Sequence, residues 1–289
     1  MKQNSALNWL VPLIAVLAII IAGVGLFSQG GDGAFQFRTV YGDMVEVYGQ
    51  GVYRHDSSFV AALFKGTDAV TLFAGIPLLL TGYWLYRRDS LRGGIFLIGM
   101  LLYFLYLGVT YTFSAIFNSL FLVYTALFSA SLFAVILALT SFDTQNLASK
   151  VTSGMPRRGI AIFMFVAGLG TLMLWISELI GPLMTGQAPA NLGPYTTMFT
   201  HGFDSAVITP ACVITGVYLL KRKPFGYLLA APLLILCTLI GVVVIGQTIS
   251  QTLAGFVFPI GVYIGMIGSW VVMGAFSVGL AIRFFRNIS

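Results

Sequence analysis

Eight apolar stretches, most about 20 residues long, divide this chain, and charged or polar turn residues bound them. A helix rises 1.5 Å per residue, so about 20 residues cross the hydrocarbon core of a bilayer. The stretches run roughly 9–28, 68–86, 94–114, 120–140, 160–182, 204–220, 226–248 and 257–282. Only 8% of the residues are charged, 58% are hydrophobic, and the mean hydropathy is +0.95. A water-soluble domain of this length would carry about a quarter charged residues to cover its surface. The expected fold class is therefore an all-α integral membrane protein with eight transmembrane helices.

The distribution of Lys and Arg orients the bundle. With the N-terminus inside, Lys2, Arg87, Arg88, Arg92, Lys150, Arg157, Arg158, Lys221, Arg222, Lys223, Arg283 and Arg286 are all cytoplasmic, 12 of the 15 basic residues. Only Arg38, Arg54 and Lys65 then lie outside. This predicts a multi-pass protein of the cell membrane with both termini cytoplasmic. The net charge of +6 is scattered in pairs and triplets, without the stripe that nucleic acid requires, so no nucleic-acid partner is expected. The first stretch reads as an uncleaved helix, because it exceeds the usual apolar core of a signal peptide and no A-x-A site follows.

Two segments resemble one another. Gly66 to Arg88 reads GTDAVTLFAGIPLLLTGYWLYRR, and Gly202 to Arg222 reads GFDSAVITPACVITGVYLLKR. Both run G-x-D, an apolar stretch with one Pro, T-G, a Tyr and a basic pair. Each opens the second helix in a group of four, after a long outer loop. The expectation is two parallel four-helix repeats, residues 1–145 and 146–289, related by an axis along the membrane normal. The outer loops are residues 29–57 and 183–203. Alternation in QFRTVY and MVEVYG predicts a short hairpin in the first, and residues 58–65 suit a short interfacial helix.

Ionisable groups within a membrane are costly and mark candidate sites. None falls at the middle of a predicted span. Asp68 and Asp204 open the second and sixth helices, where capping alone accounts for them. The sharper alternative is a pair of carboxylates facing an outer cavity and binding a proton, a small cation or an amine. Glu178 sits near the outer end of the fifth helix among apolar neighbours. His201, Arg54 and Lys65 are its candidate partners on that side. Tyr103 and Tyr106 lie deep in the third helix and need buried partners for their hydroxyls, and Asn118 occupies the following turn. Asp68, Asp204, Glu178, His201, Arg54, Tyr103, Tyr106 and Asn118 thus form the candidate ligand-binding set. The last helix, with GxxxG at Gly261 and Gly265, is expected to make a close helix contact within the chain, with a second copy or with a membrane partner.

Other chemistry is not expected. Two histidines on different loops do not make a zinc site, and no predicted span carries an axial His for haem. Cys212 and Cys237 lie inside apolar stretches without CxxC spacing and read as packing residues. Walker, dinucleotide-binding, HExxH and GxSxG motifs are absent, which argues against an enzyme. The run YGQGVYRHDS followed by GTD, with the later FNSLFLVY, resembles a pattern in uncharacterised bacterial multi-pass membrane proteins. The resemblance implies the membrane fold and no activity. The leading expectation is a transporter of a small solute or ion with an outward-facing site. The alternatives are a binding or accessory subunit of a membrane complex, and an enzyme acting on a lipid at the outer interface.

Overall fold

A computed structural model describes residues 3–289, so Lys2, one of the basic residues assigned to the cytoplasmic side, lies outside the described residues. Among the described residues eight helices are long and apolar enough to cross a membrane. They are α1 (Leu7–Phe27), α2 (Ser58–Arg87), α3 (Leu91–Ser114), α4 (Phe121–Thr140), α6 (Arg157–Thr185), α7 (Phe199–Leu220), α8 (Pro224–Leu253) and α9 (Val262–Arg286). A short helix, α5 (Thr144–Ser149), lies between α4 and α6, with Asp143 capping it by accepting from the N–H groups of Gln145 and Asn146. The predicted hairpin forms from β1 (Phe35–Arg38) and β2 (Met44–Val47), antiparallel, with Phe35 opposite Val47 and Arg38 opposite Met44.

The predicted spans match these helices except at their ends. The largest difference is in α2, which begins at Ser58 rather than at residue 68. Residues 58–65 are therefore the first turns of the span and not a separate interfacial helix. Ser57 explains the start, because its hydroxyl accepts from the Val60 N–H and satisfies an orphan donor of the first turn.

The connections sort onto two faces. On the terminal face, Gln3 bonds Asp89, the Asn4 N–H donates to the Tyr86 hydroxyl, and the Asn4 amide reaches Ser141. The C-terminal residues pair there with the α5–α6 segment through a Val151–Ile288 bridge, and the Arg92 guanidinium donates twice to the Ile288 carbonyl. On the opposite face lie the hairpin loop, the α3–α4 turn and residues 186–198, joined through Asp56. We call this the long-loop face.

Helices α3 and α8 form the centre: 72% and 67% of their apolar windows are buried, against 11% for α9. Around α3 stand α2 and α4, and α1 closes that group against α2 and α4. Around α8 stand α7 and α9, and α6 packs on α7 and touches α9. Between the groups, α8 packs on α2 and α3, while the first turn of α7 packs on α3. Lipid tails are as apolar as leucine, so such contacts depend on close fit rather than on escape from water. One close approach of backbones is between α2 and α8, where a Cβ on Gly66 would lie 2.5 Å from the Gly246 carbonyl oxygen. Gly274 of α9 meets Gly241 of α8 in the same way, with a Cβ on one 2.9–3.0 Å from the Cα of the other. The expected GxxxG pair makes no such contact among the described residues: nothing there lies within 4 Å of a Cβ built on Gly261 or Gly265.

Helices α2 and α7 share one irregularity. Each widens into a π-helical turn, over Thr71–Gly75 and Asp204–Ile208, and each then has proline two residues on, Pro77 and Pro210. Proline lacks the N–H that would continue the ladder, and its ring crowds the carbonyl four residues back. One extra residue in the preceding turn relieves that crowding.

Candidate functional site

Asp204 begins the π turn of α7 and is 3% exposed. It does not cap the helix, which starts five residues earlier. Its carboxylate instead accepts from two neutral donors on other helices. The Tyr106 hydroxyl of α3 reaches Oδ1 at 3.2 Å, and the Trp175 indole N–H of α6 reaches Oδ2 at 3.1 Å. One turn closer to the long-loop face, His201 Nε2 lies 3.0 Å from Glu178 Oε2. The His201 ring also packs against Trp175, with centroids 4.0 Å apart and the rings tilted by 35°.

Helix geometry explains why these four residues meet. Residues three apart lie on one helix face. Helix α6 ascends from Trp175 to Glu178 as α7 descends from His201 to Asp204. The two antiparallel pairs therefore form two rungs, Glu178 with His201 nearer the face and Trp175 with Asp204 below. Asp204 also borders a cavity of about 30 Å³, with Thr171, Cys212, Cys237, Trp270 and Met273 among its walls. That volume admits about one or two waters. The cavity has α9 as one wall, through Trp270 and Met273.

Asp68 is 0% exposed and is held differently. It lies ten residues into α2, so it is no helix cap either. The Tyr53 hydroxyl donates to Oδ2 and the Tyr111 hydroxyl to Oδ1, each at 2.7 Å. Tyr111 stacks on Tyr124 at 5.2 Å, and the Asn118 amide reaches the Tyr124 hydroxyl at 3.4 Å. Asn118 also accepts from the Leu120 N–H and so shapes the α3–α4 turn. Gly25 of α1 closes the remaining side. Asp68 and Asp204 share no hydrogen-bond partner, and Asp68 does not line the cavity beside Asp204.

The remaining predicted residues are placed as follows. Tyr103 bonds the Thr71 hydroxyl at 2.9 Å, within the π turn of α2. Arg54 is exposed on the long-loop face and donates to neighbouring His55 rather than to Glu178. The structure thus brings Asp204, Glu178, His201 and Tyr106 together, and leaves Arg54, Tyr103, Asn118 and Asp68 outside that group. Among the described residues neither histidine is hydrogen-bonded to a hydroxyl or thiol. Among the described residues no three of His, Cys, Asp and Glu stand close enough to hold a metal.

Three contributors were not singled out from sequence. Trp175 is the donor that joins the two rungs; its i, i+3 spacing to Glu178 was the available signal. Tyr53 supplies half of the Asp68 site from a loop. Asp56 is the third, 0% exposed outside the spans. Its Oδ1 accepts from the Tyr195 hydroxyl at 3.1 Å and from the Ile116 N–H at 3.0 Å, and its Oδ2 has no partner among the described residues. Burial pushes the Asp56 carboxyl up to about 7, against the pull of those two donors. Burial also raises the Tyr195 hydroxyl above its usual range, and the charge of Asp56 raises it further.

The segments that carried the family resemblance meet here. Tyr53 and Asp56 come from YGQGVYRHDS, Asp68 from GTD, and Asn118 and Tyr124 from FNSLFLVY. Eight apolar helices with polar groups buried between them define a multi-pass α-helical membrane protein. Compared with protein-family models, curated proteins and solved structures, the chain matches none.

Proposed function

We propose that the protein is a transporter of protons or of a small cation, with Asp204 as its site. One observation carries the reading. Asp204 is a buried carboxylate facing a cavity, and both of its partners, Tyr106 and Trp175, are neutral donors. A carboxylate without a fixed cation holds a vacancy of charge that a proton or a small cation fills. The His201–Glu178 pair one turn away offers the next titratable station toward the long-loop face. The distribution of basic residues supports placing that face outside the cell.

Two parallel repeats are part of this proposal. The second helix of each group has the same π turn before the same proline, and the third helix of each group sits at the centre. The contacts between groups are reciprocal, α8 on α2 and α7 on α3. Paired interruptions in corresponding helices support a binding site near them. In this reading the two halves have diverged: Asp68 is sealed by tyrosines and Asp204 is left beside a cavity.

The second reading is an accessory subunit of a membrane complex. Its support is α9, which is largely uncovered and has open surroundings at Gly261 and Gly265. Reconstitution into liposomes with a trapped pH dye separates the readings. Transport predicts protein-dependent proton or monovalent-cation flux that Asp204→Asn abolishes and Asp204→Glu partly retains, with unfolding temperatures matched in detergent. Flux that is absent in the wild type, or unchanged by Asp204→Asn, removes the transporter reading.

A further inference from the structure

A second cavity lies away from Asp204. It is an open cleft of about 550 Å³ on the long-loop face, between the end of α1 and the hairpin loop. Lys65 of α2 lines it. Lys65 donates to the Tyr48 hydroxyl and sits 4.6 Å from the Tyr48 ring centroid. It has no carboxylate partner: among the described residues the only ion pair is His201 with Glu178. Asp68, one turn along the same helix, turns both of its oxygens to tyrosines instead.

The rest of the lining complements a single anion at the edge of the apolar zone. The side-chain amides of Gln29 and Gln50 make no hydrogen bond within the described residues, so both offer free donors at the rim. Leu26 and Phe27, the last turn of α1, supply an apolar lip, and Phe27 is 69% exposed. The nearby acids do not enter the cleft: Asp32 and Glu46 flank its walls in sequence but are not among its lining. An ammonium held in place over an aromatic ring, two amide donors and an apolar lip match a phosphate group whose remainder is hydrocarbon. Lys65 lies two turns from the start of α2, so with that span crossing a bilayer its charge would fall near the headgroups.

We infer that this cleft is a binding site for a phosphate-bearing anion, with Lys65 as its charged anchor. The apolar lip favours an anionic phospholipid over free phosphate as the source. The inference does not depend on transport at Asp204.

The test uses the full-length protein in nanodiscs of phosphatidylcholine. Trace spin-labelled phosphatidylglycerol or spin-labelled phosphatidylcholine is added, and the immobilised fraction is read. The site predicts a preference for phosphatidylglycerol that Lys65→Gln lowers about tenfold, as expected for one charge-assisted contact, and that Lys65→Arg keeps. Gln50→Glu sits on the exposed loop, leaves α2 untouched and should remove the preference by repulsion. If inorganic phosphate displaces the lipid label at equal strength, the anion site stands and its ligand is soluble. Displacement by phosphate only at far higher concentration assigns it to the lipid. Equal retention of the two lipids by the wild type, or a preference that survives both Lys65→Gln and Gln50→Glu, overturns the inference.

Discussion

Replacing Gly25 by alanine tests how α1 is fixed to the bundle. A Cβ at this position would lie 1.9 Å from Asp68 Oδ2 and 2.7 Å from the Tyr53 hydroxyl oxygen. Even the shortest tolerable separation, 3.0 Å, requires a movement of 1.1 Å (3.0 less 1.9). The Tyr53–Asp68 hydrogen bond is 2.7 Å long and does not survive a displacement of that size. Losing a buried hydrogen bond costs about 1–3 kcal/mol, and forcing a methyl into a packed site about 1–3 kcal/mol more. The expected destabilisation is therefore about 4 kcal/mol, or on the order of 8 °C in unfolding temperature for a chain of this size. Gly23 supplies the control, because nothing lies within 4 Å of a Cβ built there and it belongs to the same helix. Thermal unfolding of Gly25→Ala and Gly23→Ala in one detergent compares them directly. The double variant Gly25→Ala, Asp68→Ala should recover part of the loss, because truncating the carboxylate makes room for the methyl. Equal unfolding temperatures for the two single variants would refute the packing of α1 against Asp68.

Three further outcomes are expected. Asp56 binds its proton more tightly folded than unfolded, so stability falls as pH rises from about 4 to about 7 and is level above that. The full difference is on the order of 4 kcal/mol, and Asp56→Asn should flatten the dependence of unfolding temperature on pH across that window. Gly66→Ala should destabilise by about 2 kcal/mol, because its neighbours on α8 are backbone atoms that cannot rotate away, whereas Gly202→Ala in the matching G-x-D should be neutral. Trp175→Phe keeps a ring against His201 but removes the donor to Asp204, so it should cost about 1–3 kcal/mol in detergent unfolding and slow any Asp204-dependent flux.

The spans were legible because each is a local property: about 20 apolar residues suffice, whatever packs beside them. The hairpin was legible for the same reason, through alternation over four residues a side. The roles of Asp68 and Asp204 were not. An aspartate at the edge of an apolar run reads as a cap, and only the partners decide otherwise. Those partners lie 15 and 43 residues from Asp68, and 29 and 98 from Asp204. The start of α2 was missed because Lys65 and Asp68 lower the local hydropathy, although both are accommodated, one by Tyr48 and the other by two tyrosines. Glu178 with His201 was foreseeable as a pair on one side. Arg54 was an equally good partner on paper, and its side chain turns instead to His55.

The uneven burial of the helices has a consequence for which of them the membrane holds least firmly. Helix α9 is tied down at its C-terminal end, where Ile288 is gripped by Arg92 and Val151, and it is scarcely covered along the rest of its length. Swinging its free end outward exchanges contacts with protein for contacts with acyl chains of nearly the same cohesion, so the membrane opposes such a movement far less than water would. In such a movement the Gly241–Gly274 contact would be the latch and the C-terminal clasp the hinge pin of a door. Behind that door lies the cavity of Asp204, with Trp270 and Met273 on the inner side of the panel. Lipid thickness and lateral pressure, rather than a soluble effector alone, would set how often it stands ajar.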